Sequence, residues 1–149
     1  MRAVIQRVSR AAVTADGVTV GEIADGLLVL LGIHAEDGDA EISWMAEKIA
    51  NLRVFADNDG KMNLSLLDIA GEMLIVSQFT LYGDCRKGRR PGYSTAAPPE
   101  TAEPLYHKFI TQVQALDIKT ATGQFGAMMQ VTLTNDGPVT LLLDSDKIF

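Results

Sequence analysis

The sequence contains a single cysteine, Cys85, so no disulfide can form within the chain. A chain without disulfides is typical of a reducing compartment, and we expect a cytoplasmic protein. The longest uninterrupted apolar run, residues 27–33, is far too short to span a membrane. Polar residues interrupt the apolar ones at the N-terminus, which is not the pattern of a signal peptide. We therefore expect neither a secreted protein nor a membrane protein.

Histidine is equally scarce, since His34 and His107 are the only two. They lie far apart, neither is near a paired acid, and no cysteine–histidine spacing suits zinc. The sequence also has no glycine-rich phosphate loop that ends in a Lys-Ser or Lys-Thr pair. Asp144 and Asp146 are interpreted as solvated residues at a strand end rather than as metal ligands. We expect no metal site and no cofactor, and we assign no catalytic role to Cys85 or to either histidine.

The formal net charge of −6 opposes non-specific binding of nucleic acid. The cations are unevenly distributed, however. Arginine and lysine occupy four of residues 86–90, and a looser basic group lies within residues 2–10. A small basic patch on an acidic protein can contact a few phosphates, but such a cluster is also typical of a solvated loop. Charge alone leaves both interpretations open.

The pattern of apolar residues predicts the secondary structure. Period-two alternation and short apolar runs predict strands over residues 2–8, 11–15, 18–23, 26–33, 72–81, 126–134 and 138–143. The run at 26–33 is expected to be buried on both faces. Asp16-Gly17 predicts a tight hairpin turn between two of the strands.

Helical spacing of apolar residues predicts two main helices. The first is expected to follow the capping carboxylates of Asp37-Gly38-Asp39, and the second to begin near Pro99. Strands and helices do not alternate regularly, which argues against a doubly wound fold. The sequence therefore predicts one compact α+β domain over residues 1–149, with a mixed β-sheet and two main helices.

One polar segment that could carry chemistry follows an apolar strand. Ser77, Gln78, Phe79 and Thr80 could offer hydroxyls, an amide and backbone N–H groups to an ester carbonyl. Strand alternation would place Ser77 and Phe79 on one face and the other two residues on the opposite face. Taken alone, the same residues also suit a strand end that leads into a polar turn.

A second segment, Asn135-Asp136-Gly137-Pro138, lies between two predicted strands. All four residue types are frequent in turns, so the local pattern predicts a hairpin loop. The high apolar content of the flanking strands is compatible with burial at a subunit interface.

At these two segments the sequence closely resembles the D-aminoacyl-tRNA deacylases, formerly called D-tyrosyl-tRNA deacylases. The most specific part of the resemblance is the Ser-Gln-Phe-Thr motif at 77–80 followed by Gly-Pro-Val-Thr at 137–140. The resemblance runs essentially from end to end, and its other motifs cover residues 1–8, 26–32, 61–65, 86–91, 96–99, 125–127 and 129–131.

The resemblance implies a homodimeric, cytoplasmic enzyme with the fold of that family. Such an enzyme hydrolyses the ester between a D-amino acid and the terminal adenosine of tRNA, and it also removes glycine from mischarged tRNA. The resemblance further implies that a cis Gly137–Pro138 element enters the partner subunit's pocket. Phe125 and Met129 match positions near the terminal adenosine, and Arg7 matches a residue that holds the Gly-Pro element.

The resemblance implies that the pocket is lined by Ser77, Gln78, Phe79 and Thr80, and two mechanisms are compatible with these residues. Thr80 could act as a nucleophile, but it would need a base that the sequence does not supply nearby. Alternatively, backbone N–H groups at residues 79–80 stabilise the oxyanion while the 2′-hydroxyl of the terminal ribose assists water. We favour the second mechanism because no Ser-His-Asp arrangement is evident.

Chiral selection is expected from backbone carbonyls at Gly137 and Pro138. They would hold the amino group of the substrate and fill the space that an L side chain needs. Glycine, which has no side chain, would not be rejected. Two other functions remain open: a hydrolase that acts on a nucleotide or on a free D-amino-acid derivative, and a non-catalytic RNA-binding module that uses residues 86–90.

Overall fold

The computed structural model describes residues 1–149. It contains two α-helices, α1 (Asp39–Ala50) and α2 (Pro99–Gln114), and a 3₁₀ turn at Phe79–Tyr82. The strands are β1 (Arg2–Ala15), β2 (Val18–Ile23), β3 (Gly26–Gly32), β4 (Phe55–Ala56), β5 (Met62–Leu64), β6 (Glu72–Ser77), β7 (Lys119–Thr122) and β8 (Met129–Asp144).

Six strands form one sheet in the order β2-β1-β3-β6-β7, and β8 pairs with the other edge of β1. The pairs made by β1 are antiparallel, whereas β3–β6 and β6–β7 are parallel. The short strands β4 and β5 pair separately. The predicted α+β class, with a mixed sheet and two main helices, is confirmed.

The sheet curls until β2 approaches the end of β7. A Cβ atom added to Gly21 would lie 2.5 Å from the carbonyl oxygen of Thr122, so only glycine permits this approach of the two backbones. A small apolar cluster fills the inside of the curl. The helices α1 and α2 cover the other face, where the larger core lies.

The apolar run at β3 is the centre of both cores. Every residue of β3 is buried except Leu30, which is partly buried. Leu27, Val29 and Leu31 belong to the larger core, whereas Leu28 packs in the smaller cluster. The predicted burial of this strand on both faces is confirmed, because alternate side chains of one strand serve two separate cores.

Both helices occur where apolar periodicity predicts them, but the cap of α1 differs from the prediction. The N-cap is Gly38, whose N–H donates to the Glu41 carboxylate at 2.9 Å, and this hydrogen bond lowers the pKa of Glu41. The Asp37 carboxylate instead forms an ion pair with the amine of Met1 at 2.6 Å. Neither helix has the length and apolar character needed to span a bilayer.

The predicted C-terminal boundary of one strand was wrong. Residues 72–81 do not form a single strand, since β6 ends at Ser77 and a 3₁₀ turn follows. The N–H of Leu81 donates to the carbonyl of Gln78 at 3.3 Å, and the N–H of Gly83 donates to that of Thr80 at 2.9 Å. These local hydrogen bonds replace the strand alternation expected for Ser77 to Thr80.

The predicted hairpin loop at residues 135–138 was also wrong. The two flanking segments form one strand, β8, because both pair with β1. The pairing passes from Gln6–Thr140 to Val8–Asn135, so the residues between Asn135 and Thr140 form a bulge opposite Arg7. The segments 2–8 and 11–15 are likewise one continuous strand, and β4, β5 and β7 were not predicted.

Tyr106 on α2 joins the helix layer to the sheet. Its buried hydroxyl donates to the carbonyl of Ile75 at 2.8 Å, and burial raises the pKa of the phenol. We expect Tyr106→Phe to lower the free energy of unfolding by about 1 kcal/mol in urea denaturation. The cost stays small because the Ile75 carbonyl keeps a second hydrogen bond, from the N–H of Gly123 at 3.0 Å.

Tyr82 provides a matched control for this prediction. It is also buried, but its hydroxyl has no hydrogen-bond partner in the protein. Tyr82→Phe therefore removes a hydroxyl without removing an internal hydrogen bond, and the loss should be smaller than for Tyr106→Phe. A larger loss at Tyr82 would contradict this account.

Candidate active site

A cavity of about 740 Å³ opens where β6 ends. Its walls come from the end of β6, the 3₁₀ turn, the segment that leads into α2, and the turn before β8. The predicted site residues that line it are Ser77, Gln78, Phe79, Thr80, Phe125 and Met129. The fold thus brings together two segments that lie far apart in the sequence.

Hydrogen bonds hold the segment that begins the 3₁₀ turn. The N–H of Gln78 donates to the carbonyl of Leu31 at 2.8 Å, which anchors the segment to β3. The side-chain amide of Gln78 donates to the Thr80 hydroxyl. No other side chain forms a hydrogen bond with that hydroxyl, so Thr80 has no adjacent base.

The cavity wall carries no acidic, basic or histidine side chain. Its polar groups are hydroxyls, one amide and backbone groups. Phe79 and Thr80 stand at the start of the 3₁₀ turn, where backbone N–H groups have no partner within the turn. Such a site can orient a neutral ester and donate hydrogen bonds to a developing oxyanion, but its side chains cannot take up a proton as a carboxylate or imidazole would.

The opposite wall is apolar. Phe125 lies in a tight turn that is closed by a hydrogen bond from the N–H of Ala127 to the carbonyl of Gln124 at 3.2 Å. Its ring is 5.8 Å from that of Tyr106, measured between centroids. A Cβ on Gly123 would lie only 2.7 Å from the Met129 sulfur, so glycine makes room for this thioether beside the cavity. Aromatic and thioether side chains can pack against a planar ring of a ligand.

Exposed apolar side chains border the cavity. Phe79 is 55% exposed and Met128 is 90% exposed. The Phe79 ring meets the ring of Tyr93 edge to face, with centroids 5.1 Å apart. Apolar side chains gathered at the mouth of a cavity indicate a surface that meets a ligand or a partner.

Gly137 and Pro138 are exposed on the β8 bulge, and neither lines the cavity of its own chain. The peptide bond between them is cis. Asn135 braces the bulge, because its side-chain oxygen accepts from the N–H of Val139 at 3.0 Å and its amide donates to the Thr140 hydroxyl at 2.9 Å. The segment is therefore held as a defined protrusion.

Arg7 supports the bulge from β1. Its Nε donates to the carbonyl of Asp136 at 3.0 Å and lies 3.2 Å from the carboxylate of the same residue. Its Nη1 donates to the carbonyl of Val54 at 2.5 Å. The Arg7 side chain is only 14% exposed. Arg7 thus joins the bulge to the segment that follows α1.

Sequence reasoning missed part of the cavity wall. Tyr93, Ala96 and Met128 line it, and only the 96–99 motif gave any signal for these positions. Neither histidine lines the cavity: His34 lies 5.4 Å from the ring of Tyr82, and His107 is exposed on α2.

Comparison with known proteins agrees with this architecture. The protein-family model described as D-Tyr-tRNA(Tyr) deacylase matches residues 4–144 of this chain. A D-aminoacyl-tRNA deacylase from Thermosipho africanus is 64% identical over 149 residues, which is 100% of both chains. The solved structure of a c-Myc DNA Unwinding Element Binding Protein has a TM-score of 0.91 at 45% identity and covers 97% of this chain and 98% of its own.

A probable eukaryotic D-amino acid tRNA deacylase has a TM-score of 0.82, with 95% of this chain and 97% of that chain covered. At 17% identity this likeness shows the fold alone. Together with the cavity, the relatives define an enzyme of the hydrolase class. More particularly, the chain belongs to the D-Tyr-tRNA(Tyr) deacylase family.

Proposed function

We propose that this protein hydrolyses the ester bond between a D-amino acid and the terminal ribose of tRNA, releasing the free D-amino acid and the tRNA. The observation that carries the proposal is the uncharged cavity at residues 77–80, in a chain 64% identical to a D-aminoacyl-tRNA deacylase. A cavity of about 740 Å³ lies within the usual range for small-molecule sites. It suits an aminoacylated adenosine.

The proposed mechanism depends on orientation and hydrogen bonding. Water adds to the ester carbonyl, and the backbone N–H groups of Phe79 and Thr80 stabilise the oxyanion. The carbon–oxygen bond to the ribose then breaks, and the ribose oxygen takes up the proton that the attacking water has lost. The neighbouring 2′-hydroxyl assists the water, which accounts for a cavity wall without a carboxylate or imidazole.

Replacing Thr80 tests whether its hydroxyl is a nucleophile. We expect Thr80→Ala to lower the single-turnover rate on D-tyrosyl-tRNA by about 10-fold to 100-fold, because only positioning of Gln78 and the ester is lost. Thr80→Ser, which keeps the hydroxyl, should stay near the parent rate. A loss above about 10⁴-fold, or a trapped acyl-enzyme, would instead establish Thr80 as the nucleophile.

We further propose that two copies complete each site. Gly137 and Pro138 protrude from β8, whose outer edge has no pairing strand, and Leu142 on the same strand is 58% exposed. In a homodimer, the bulge of one subunit enters the cavity of the other. Its carbonyls hold the amino group of the substrate and occupy the space of an L side chain.

The function is tested with four substrates: D-tyrosyl-tRNA, L-tyrosyl-tRNA, glycyl-tRNA and free D-tyrosine ethyl ester. Hydrolysis of D-tyrosyl-tRNA and glycyl-tRNA, with L-tyrosyl-tRNA intact, is the expected result. Cleavage of the free ester alone would indicate a general hydrolase, and binding without cleavage an RNA-binding module. Intact glycyl-tRNA beside cleaved D-tyrosyl-tRNA would contradict steric exclusion.

A further inference from the structure

The basic loop, residues 84–92, projects beside the cavity and has no part in the proposed chemistry. Two backbone hydrogen bonds close it, from the N–H of Asp84 to the carbonyl of Gly92 at 2.7 Å and in the reverse direction at 3.0 Å. Residues 84–90 and Gly92 are exposed, and only Pro91 is partly buried. The loop is thus a short arm closed at its base, with its cations presented to solvent.

Ion pairing divides the four cations of the basic loop into two kinds. Arg86 is bound by Asp84, with its Nε and Nη2 at 2.9 and 2.8 Å from the two carboxylate oxygens, and this pairing holds the pKa of Asp84 well below its usual range. Lys87, Arg89 and Arg90 form no ion pair. The chain as a whole has a net charge of −6, so these three unpaired cations form a local concentration of positive charge.

The base of the basic loop is joined to the cavity. Tyr93, the next residue, lines the cavity and contacts the ring of Phe79. A Cβ on Gly83 would lie 3.1 Å from Tyr93 Cε1 and 3.7 Å from Pro91 Cβ, so the loop and the 3₁₀ turn pack closely together. The three free cations are therefore carried by a loop whose base adjoins the cavity wall.

We propose that Lys87, Arg89 and Arg90 bind backbone phosphates of the tRNA next to the nucleotide that occupies the cavity. This inference rests on the proposed function, because it needs an aminoacylated nucleic acid as the ligand. The remainder of the surface repels the polyanion, whereas the basic loop attracts it at one place. Arg86, held by Asp84, orders the first turn of the loop and leaves the other three cations free for phosphates.

The test compares two variants that lose the same charge. The first carries Lys87→Gln, Arg89→Gln and Arg90→Gln. The control carries Lys48→Gln, Lys61→Gln and Lys147→Gln, three exposed lysines that form no ion pair and do not line the cavity. Each variant is assayed on D-tyrosyl-tRNA and on the D-tyrosyl ester of adenosine, which fills the cavity but has no phosphodiester backbone.

We expect the loop variant to raise KM for D-tyrosyl-tRNA about 10-fold or more at low salt, with kcat unchanged. The slope of log(1/KM) against log salt concentration should become shallower by about 2, because each single-strand phosphate contact contributes about 0.7. Hydrolysis of the adenosine ester should match that of the parent protein. The charge-conserving variant Lys87→Arg, Arg89→Lys and Arg90→Lys should restore KM.

Three results would overturn the inference while leaving the proposed function intact. They are an unchanged KM and salt slope in the loop variant, an equal rise of KM in the control, and an equal loss on the adenosine ester. Failure of the parent protein to cleave either substrate would instead contradict the proposed function. The two failures are therefore distinguishable.

Discussion

Replacing Gly137 by alanine is expected to lower hydrolysis of D-tyrosyl-tRNA by more than about 100-fold without unfolding the protein. Gly137 has φ +128°, and an added Cβ would lie 2.9 Å from Arg7 Nη2 and 2.9 Å from Val139 Cγ2. Arg7, Val139 or the bulge itself must therefore shift to accommodate the methyl group, and a shift of Arg7 disturbs the hydrogen bond that holds the bulge. If its carbonyls form the surface that holds the substrate's amino group, a displacement of about 1 Å is sufficient for such a loss.

Gly60 supplies the matched control for this substitution. It also has a positive φ, +76°, but nothing lies within 4 Å of its added Cβ. Gly60→Ala thus also places an alanine at a positive φ, but it does not touch the bulge, and its activity should remain near that of the parent protein. Thermal unfolding of both variants shows whether a loss of stability, rather than a change in the bulge, accounts for any loss of activity. Full activity in Gly137→Ala would contradict the role assigned to the bulge.

Mixing two inactive variants tests where the bulge acts. Gly137→Ala alters the bulge, and Ala96→Trp fills the cavity. If each site combines the bulge of one subunit with the cavity of the other, a mixed dimer contains one intact site. Random exchange of subunits should then recover about a quarter of the parent activity. No recovery after proven exchange would mean that each chain builds its site alone.

Removing the charge of Asp37 is expected to lower the free energy of unfolding by about 3–5 kcal/mol. Its carboxylate pairs with the Met1 amine at 2.6 Å and accepts the N–H of His34 at 2.7 Å. The exposed fractions of the Met1 and Asp37 side chains are 0% and 4%. Asp37→Asn keeps the shape but leaves a buried ammonium group without a counter-ion. Chemical denaturation at neutral pH measures the loss.

Asp144 is the comparison for this ion pair, and its interpretation as a solvated residue was wrong, because it is buried against Arg2. It is equally buried and binds Arg2 Nε at 2.8 Å, but the Arg2 side chain is 28% exposed. Water can therefore solvate the guanidinium group after Asp144→Asn, and the loss should be clearly smaller than at Asp37. Equal losses at the two positions would show that burial of the cation is not the determining factor.

The sequence predicts the parts of the fold that depend on local patterns. The apolar run at β3 is sufficient to predict that this strand is buried. The spacing of apolar residues is sufficient to predict the positions of α1 and α2. Likewise, the polar residues at 77–80 follow an apolar strand and line the cavity. In each case, the residues that specify the feature are neighbours in the chain.

The features that were missed depend on partners distant in the chain. Asn135 to Pro138 have turn propensity, but pairing of the flanking residues with β1 incorporates them in one strand. Asp37 is of a residue type that often caps helices and it precedes α1, yet it binds the amine of Met1, 36 positions away. Tyr93 lines the cavity because of its packing against Phe79 and Gly83, which no local pattern indicates.

The bulge also determines where the length of β8 can change. Ladders with β1 fix the register on both sides of it, through pairs such as Leu133–Ala11 and Leu141–Ile5. A residue inserted within either ladder would turn the following side chains to the opposite face of the sheet. A residue inserted between Asn135 and Thr140 would only lengthen the bulge. The core therefore tolerates a change in the length of this strand only within the protrusion, but such a change would alter the reach of Gly137 and Pro138 into the site. The length of β8 is thus constrained by the core on either side of the bulge and by the proposed site at the bulge itself.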